Sequence, residues 1–250
     1  MRRVTTDPLE TLGELPGVFE AVDAARAAID ALLREPMLRR GRGEVRAEAR
    51  RRGAWASARL AGVDVAVEDF NAPFEGDESG RLSAASLRIA GDVRGLSDTW
   101  RRAPMQALAR LHTLAAVDVV EPDALGRPRL DQDVAARLAG LADMVADTDA
   151  PGVVVAGVVH GDLLDLRPFG WGDGLIARAA LRLVLVSRGV DPDALTVPEE
   201  GLLELGRDRC DAAFAGYQTG TPEGMASWLI HNAAAVQHGA AVTRRLCTSR

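Results

Sequence analysis

The stretch HGDLLDLRPFGWGDGLIARAALRLVLVSRG, His160 to Gly189, decides the reading of the fold. Gly170, Gly172 and Gly174 surround Trp171 and Asp173 and lead straight into an apolar stripe, Leu175, Ile176, Ala179, Leu183 and Val186, at helical spacing. Glycines at a helix start free backbone N–H groups, and the helix dipole adds roughly half a positive charge there, so the spacing predicts an anion seat. Arg178 follows one turn in, where its fork can reach such an anion. The same glycines would equally serve a plain helix entry. A dinucleotide-binding strand–turn–helix, VVVAGVV (Val153 to Val159) followed by the glycines, is the rival. It fits poorly, because residues 160–169 separate the two and a tight turn has no room for them.

Working outward, apolar residues recur at helical spacing from Leu15 to Leu33 (Val18, Val22, Ala25, Ile29, Leu32), and RGEVRAEARRRGAWASARLAG continues as a helix that stops at Gly62. Seven arginines between Arg39 and Arg52 interleave with Glu44 and Glu48, which reads as a solvated helix face before it reads as an anion-binding surface. Helical patterns return from Leu82 to Ile89, Pro104 to Ala116 and Asp131 to Ala146, with VEPDALGRPR between the last two spaced as a turn or small hairpin near residues 120–130. The final third reads as helices from Leu175 to Arg188 and Leu202 to Tyr217, then one opened by Thr221-Pro222 as N-cap and first residue. By itself VVVAGVV suits a buried strand as well as a helix.

Composition excludes several function classes. All 30 basic residues of the 250 are arginine, so no Schiff-base lysine, Walker-type lysine or kinase-type catalytic lysine can be built. A net charge of −6 argues against nucleic acid as a partner, and no apolar run approaches the ~20 residues of a membrane span. The start MRRVTTDPLE lacks the apolar core of a signal peptide, which makes a cytoplasmic location the expectation. Cys210 and Cys247 form no CxxC, so structural thiols are expected rather than a disulfide or zinc site. His112 and His160 read as packed core histidines, and His231 and His238 have no partner at metal spacing. Trp55, Trp100 and Trp228 read as core, while Trp171 in its glycine turn reads as core or functional.

Residues 160–178 resemble the Fic (Fido) family, whose signature is HPFxDGNGRxxR with another histidine seven residues earlier. Here the register is His160, then Arg167-Pro168-Phe169-Gly170-Trp171-Gly172-Asp173-Gly174-Leu175 and Arg178. SARLAG, Ser57 to Gly62, is similar to the family's inhibitory S/TxxxEG helix, with Ala61 at the glutamate position. Leu111-His112 looks like the helix before the family's flap, ALGRPR like the flap, and PEGMASWLIHNAAA like its terminal helix. The resemblance implies an all-α helical bundle with one small hairpin as flap, and it assigns Val153 to Val159 to a helix. No repeat and no low-complexity linker interrupts the sequence, so residues 1–250 read as one domain, which the resemblance divides into N-terminal helices in 1–62 and a core with C-terminal helices in 82–250.

The departures fall on the reactive positions. In the family the histidine takes a proton from a target hydroxyl, the acidic residue holds Mg²⁺, and two arginines with the glycine nest hold nucleotide phosphates. Arg167 replaces the histidine, Trp171 the acidic residue and Leu175 the first arginine, while Phe169, Gly172, Asp173, Gly174 and Arg178 remain. An arginine with pKa above ~12 is neutral in less than about 10⁻⁵ of molecules at pH 7 and cannot act as base. Losing a general base costs about 10²–10⁴-fold, and losing the metal several kcal/mol more.

Three functions are therefore weighed. The first is an inactive protein that binds ATP, ADP, AMP or phosphate without Mg²⁺ at Arg167, Phe169, Gly170, Trp171, Gly172, Asp173, Gly174 and Arg178, with Trp171 stacking on a base or capping the pocket. The second is a protein-interaction scaffold with a vestigial pocket and a protein partner. The third is a nucleotidyl transferase acting on protein hydroxyls with Asp162, Asp165 or His160 as its base. A homodimer is an expectation from the resemblance alone, and no metal site is expected.

Overall fold

A computed structural model describes residues 7–129 and 131–248. VVVAGVV forms the N-terminal half of helix α8 (Gly152–Leu166), with all of Val153 to Gly161 buried. β-branched residues lower helix propensity by roughly 0.6 kcal/mol each, but burying a valine contributes about 1.5 kcal/mol or more, so packing decides the conformation. Two glycines let α8 approach its neighbours. A Cβ on Gly157 would stand 2.8 Å from Leu229 Cδ2, and one on Gly161 would stand 2.6 Å from the Tyr217 ring and 2.7 Å from Trp228 Nε1. Trp228, fully buried, donates its indole N–H to the Gly157 carbonyl at 2.8 Å.

Eleven further helices surround α8 among the described residues: α1 (Pro8–Gly13), α2 (Val18–Leu33), α3 (Leu38–Leu60), α4 (Glu78–Asp92), α5 (Ser97–Arg102), α6 (Pro104–Ala116), α7 (Gln132–Ala146), α9 (Asp173–Ser187), α10 (Pro198–Leu205), α11 (Arg207–Gln218) and α12 (Pro222–Thr248). α8 packs on α9, and α12 runs across α2, α8, α10 and α11. Gly201 and Gly239 let α10 and α12 meet backbone to backbone, since a Cβ on Gly201 would fall 2.0 Å from the Ala235 carbonyl oxygen. The expected all-α class holds. No described helix is long and apolar enough to cross a membrane.

Several details correct the sequence reading. No strand occurs among the described residues, so the expected hairpin at 120–130 is instead a series of turns. One strand-like bond survives, Arg129 N–H to the Pro168 carbonyl at 2.8 Å, and Pro128 beside it has no N–H with which to extend a ladder. Leu130, within that reading, lies outside the described residues. The single helix expected over Leu202 to Tyr217 is two, broken at Gly206 with φ +89°, a conformation favourable only to glycine. The helices α1 and α5 are too short to carry a periodic signal.

Candidate functional site

The turn between α8 and α9 is built by a chain of specific contacts. α8 ends at Arg167, in the left-handed region at φ 45°, ψ 60°, with its N–H returned to the Leu163 carbonyl at 3.1 Å. Helix ends of this shape usually use glycine, because a side chain there costs about 1–2 kcal/mol. Phe169 then drops into the core and stacks on His112, with ring centroids 4.4 Å apart. His112 Nδ1 accepts the Gly126 N–H at 2.9 Å, which ties the turns after α6 to the same point. Gly170 and Gly172 both take positive φ, and Gly172 is the N-cap of α9.

Asp173 holds this turn closed. One carboxylate oxygen accepts the Phe169 N–H at 2.9 Å and the other the Gly170 N–H at 2.8 Å. Burial pushes its carboxyl up while the two amides pull it down. Against the sequence reading, Asp173 is not a retained signature position but a departure from the signature's asparagine, and only a carboxylate presents a separate oxygen to each amide. The N–H groups of Asp173, Gly174 and Leu175 belong to the first turn of α9 and have no intrahelical acceptor.

Beside the turn lies a cavity of about 350 Å³. Arg167, Arg178 and Arg207 bring three guanidiniums to it, with Asp173, Gly174, His160, Cys210 and Asp211 among its other lining residues. Arg178 is buried, and burial lowers its pKa to about 10. It forms no ion pair among the described residues. Instead Nε donates to Ser57 Oγ and Nη2 to the Ser57 carbonyl, both at 2.9 Å. That carbonyl belongs to the last turn of α3, the negative end of a helix dipole, which compensates part of the charge. Nη1 has no hydrogen-bond partner among the described residues and lies 3.3 Å from the Cβ position of Gly174.

The SARLAG segment thus engages Arg178 through Ser57, although Ala61 supplies no carboxylate and packs against the core. Of the residues expected at a phosphate site, Arg167, Asp173, Gly174 and Arg178 line this cavity. Phe169, Gly170, Trp171 and Gly172 shape the turn without lining it, and Trp171 packs against the hydrophobic core. Leu175 is buried at the start of α9. Sequence reasoning missed Arg207 and Cys210. Gly206, whose positive φ starts α11 beside the cavity, was the available signal.

The residues weighed as alternative bases are engaged elsewhere. His160 contacts Asn232 Oδ1 through Nδ1 at 2.7 Å, and complete burial lowers its pKa to about 3. Asp162 accepts the Tyr217 hydroxyl at 2.5 Å, and Asp165 pairs with Arg137 and Gln218, each at 2.9 Å. Burial pushes the Cys210 thiol up, away from the thiolate. His231 stacks on Trp228, and His238 meets Glu204 at 3.0 Å.

The residues present do not fit Mg²⁺, which demands a near-octahedral set of oxygens. Trp171 offers only an N–H, both Asp173 oxygens are taken by amides, and Asp211 is the one further carboxylate on the cavity wall. Among the described residues no three His, Cys, Asp or Glu side chains cluster as metal ligands.

No protein-family model and no curated protein matches the chain. Solved structures do. A Fic family protein from Desulfovibrio desulfuricans G20 superposes with TM-score 0.71 at 18% identity, covering 92% of this chain and 75% of that one. Fic-1 from C. elegans gives TM-score 0.63 at 15% identity over 90% of this chain and 71% of that one. A Fic domain containing signaling protein from Bacteroides thetaiotaomicron VPI-5482 gives TM-score 0.61 at 13% identity over 92% and 98%. At these identities the likeness is one of fold.

Proposed function

We propose, with the Fic fold of this chain as the premise, that it binds a nucleotide or other phosphate-bearing anion in the Arg167–Arg178 cavity without Mg²⁺, and that it does not catalyse nucleotidyl transfer. The observation that carries this reading is Arg178, a buried guanidinium with no carboxylate partner among the described residues. Burying a charge is costly unless an opposite charge or hydrogen bonds offset it. Ser57 and the α3 dipole offset part of that cost. An anion on Nη1 and on the α9 amides would offset the remainder and satisfy the helix terminus at once.

Exposed Arg167 and Arg207 stand at the same cavity, so a phosphate there meets a fork from each of two further elements. A base is what the site lacks. Arginine stands at the motif's histidine position, and His160, held neutral far below its ordinary pKa, is a weak proton acceptor.

Thermal-shift titration with ATP, ADP, AMP and phosphate, in EDTA and then with Mg²⁺, tests the reading on the wild type and on Arg167→Gln. Stabilisation of about 2.7 kcal/mol is expected at a hundredfold excess over Kd, independent of Mg²⁺ and reduced in the variant. A flat response to every anion would overturn it. So would label from a labelled nucleotide appearing on lysate proteins in proportion to added wild-type chain.

A further inference from the structure

A second cavity, of about 310 Å³, opens between α3, α4 and the loop before α10, and four arginines line it: Arg46, Arg50, Arg94 and Arg182. No carboxylate lines it, and its other lining residues are Gly43, Ala47, Ala90, Gly91 and Ala194. The arginine run of α3 reads from sequence as a solvated face neutralised by interleaved glutamates. The structure divides that run. Arg51 pairs with Glu48, Arg52 with Glu200, and Arg42 with Asp193, while Arg46 and Arg50, one turn apart, face this cleft.

Arg50 and Arg94 are exposed, and their side chains have no ion pair or hydrogen bond among the described residues. Arg46 reaches Asp193 only at 3.7 Å. On the inner wall Arg182 is 3% exposed, held by the Ala194 carbonyl at 2.8 Å, and its Nε and Nη1 have no hydrogen-bond partner among the described residues. Glu199, at 3.7 Å, is its one salt-bridge partner among the described residues, with Asp191 adding a longer-range attraction, and burial pushes both carboxyls up, towards their neutral forms.

Gly43 and Gly91 lie inside helices, where glycine is unfavourable, yet a Cβ on either would meet nothing within 4 Å. No packing contact requires them, and both line the cleft. The wall has no aromatic or large apolar side chain on which a base or ring could stack.

We propose that this cleft is a second anion site, separate from the Arg167–Arg178 cavity, for a small compact molecule carrying two or more phosphate groups. Several forks converging on one small volume suit clustered phosphates better than a single charge. The net charge of −6 disfavours a long polyanion running over the rest of the surface.

The test is calorimetric titration of inorganic tripolyphosphate, in EDTA, into the wild type, into Arg50→Gln/Arg94→Gln, into Arg167→Gln, and into Arg39→Gln/Arg40→Gln. The last pair removes the same charge from exposed positions outside the cleft. The proposal expects a binding event that weakens by about tenfold for each cleft arginine removed and persists in the other two proteins. It also expects amide shifts at Gly43 and Gly91 on titration. It is overturned if the wild type does not bind, if the cleft variant binds as the wild type does, or if the Arg39/Arg40 control weakens equally. Loss of a separate event in Arg167→Gln alone would speak to the first cavity and leave this one standing.

Discussion

Replacing Arg167 by glycine separates stability from binding. The residue occupies the left-handed region at φ 45°, a conformation that costs a non-glycine residue about 1–2 kcal/mol. Glycine removes that strain but adds about 0.5–1 kcal/mol of unfolded-state entropy. The side chain is exposed and makes no hydrogen bond or ion pair among the described residues, so its removal costs only a solvent-screened attraction to Asp165 and Asp173. The net expectation is a change between about zero and about 1.5 kcal/mol in favour of the variant, or up to roughly 5 °C in Tm for a chain of this size. Phosphate or nucleotide affinity should fall by about tenfold or more, since a charged hydrogen-bonding fork leaves the cavity wall. Urea denaturation followed by tryptophan fluorescence gives the first quantity, and calorimetric titration the second. A variant less stable than wild type by more than about 1 kcal/mol would refute the strain argument. Undiminished affinity would refute the role of Arg167 in the cavity.

Stability should fall on acidification below about pH 6.5. The folded pKa of His160, about 3, lies below the ordinary 6.5, so in this interval the unfolded chain takes up a proton that the folded chain refuses. Between pH 6.5 and 5 this amounts to about 1.6 kcal/mol, the loss continues towards the folded pKa, and His160→Gln should flatten the slope. An unchanged slope in that variant would sink the assignment to His160. Ser57→Ala removes one of two hydrogen bonds to buried Arg178 and should cost about 2 kcal/mol in urea denaturation, whereas a cost below about 0.5 would deny Ser57 that role. Gly201→Ala places a carbon against the Ala235 carbonyl and forces α10 from α12, at about 3 kcal/mol; a stability equal to wild type would contradict the close approach.

What could be read from sequence follows from where the determining contacts lie. α6 and the start of α12 were legible because Pro104 and Pro222 mark helix starts, and Thr221 Oγ1 accepts the Gly224 N–H as expected of a cap. The Val153 to Val159 segment of α8 was not legible on its own, since all of it is buried, it has no polar face, and its valines suit a strand equally. The glycine turn announced itself, yet Asp173's bonds to Phe169 and Gly170 depend on how the backbone folds back. Ser57 and Arg178 are far apart in the chain, and no local pattern reports that they meet. The arginine run shows the same limit. Its helical phase could be counted, but Arg94 and Arg182, which turn two solvated side chains into one wall of a cleft, come from other helices and turns.

The position of α12 bears on how the chain is made. α2 buries its apolar stripe against α12, and Glu35 just beyond α2 bonds Arg244 near the far end of α12 at 2.5 Å. During synthesis α2 leaves the ribosome roughly 190 residues before α12 begins, counting from Leu33 to Pro222, so the face it buries against α12 stays uncovered over that interval. Such an interval invites aggregation or capture by a chaperone. Shortening the chain before Pro222 should therefore leave a species that stays bound to chaperones, while α2 itself carries no defect.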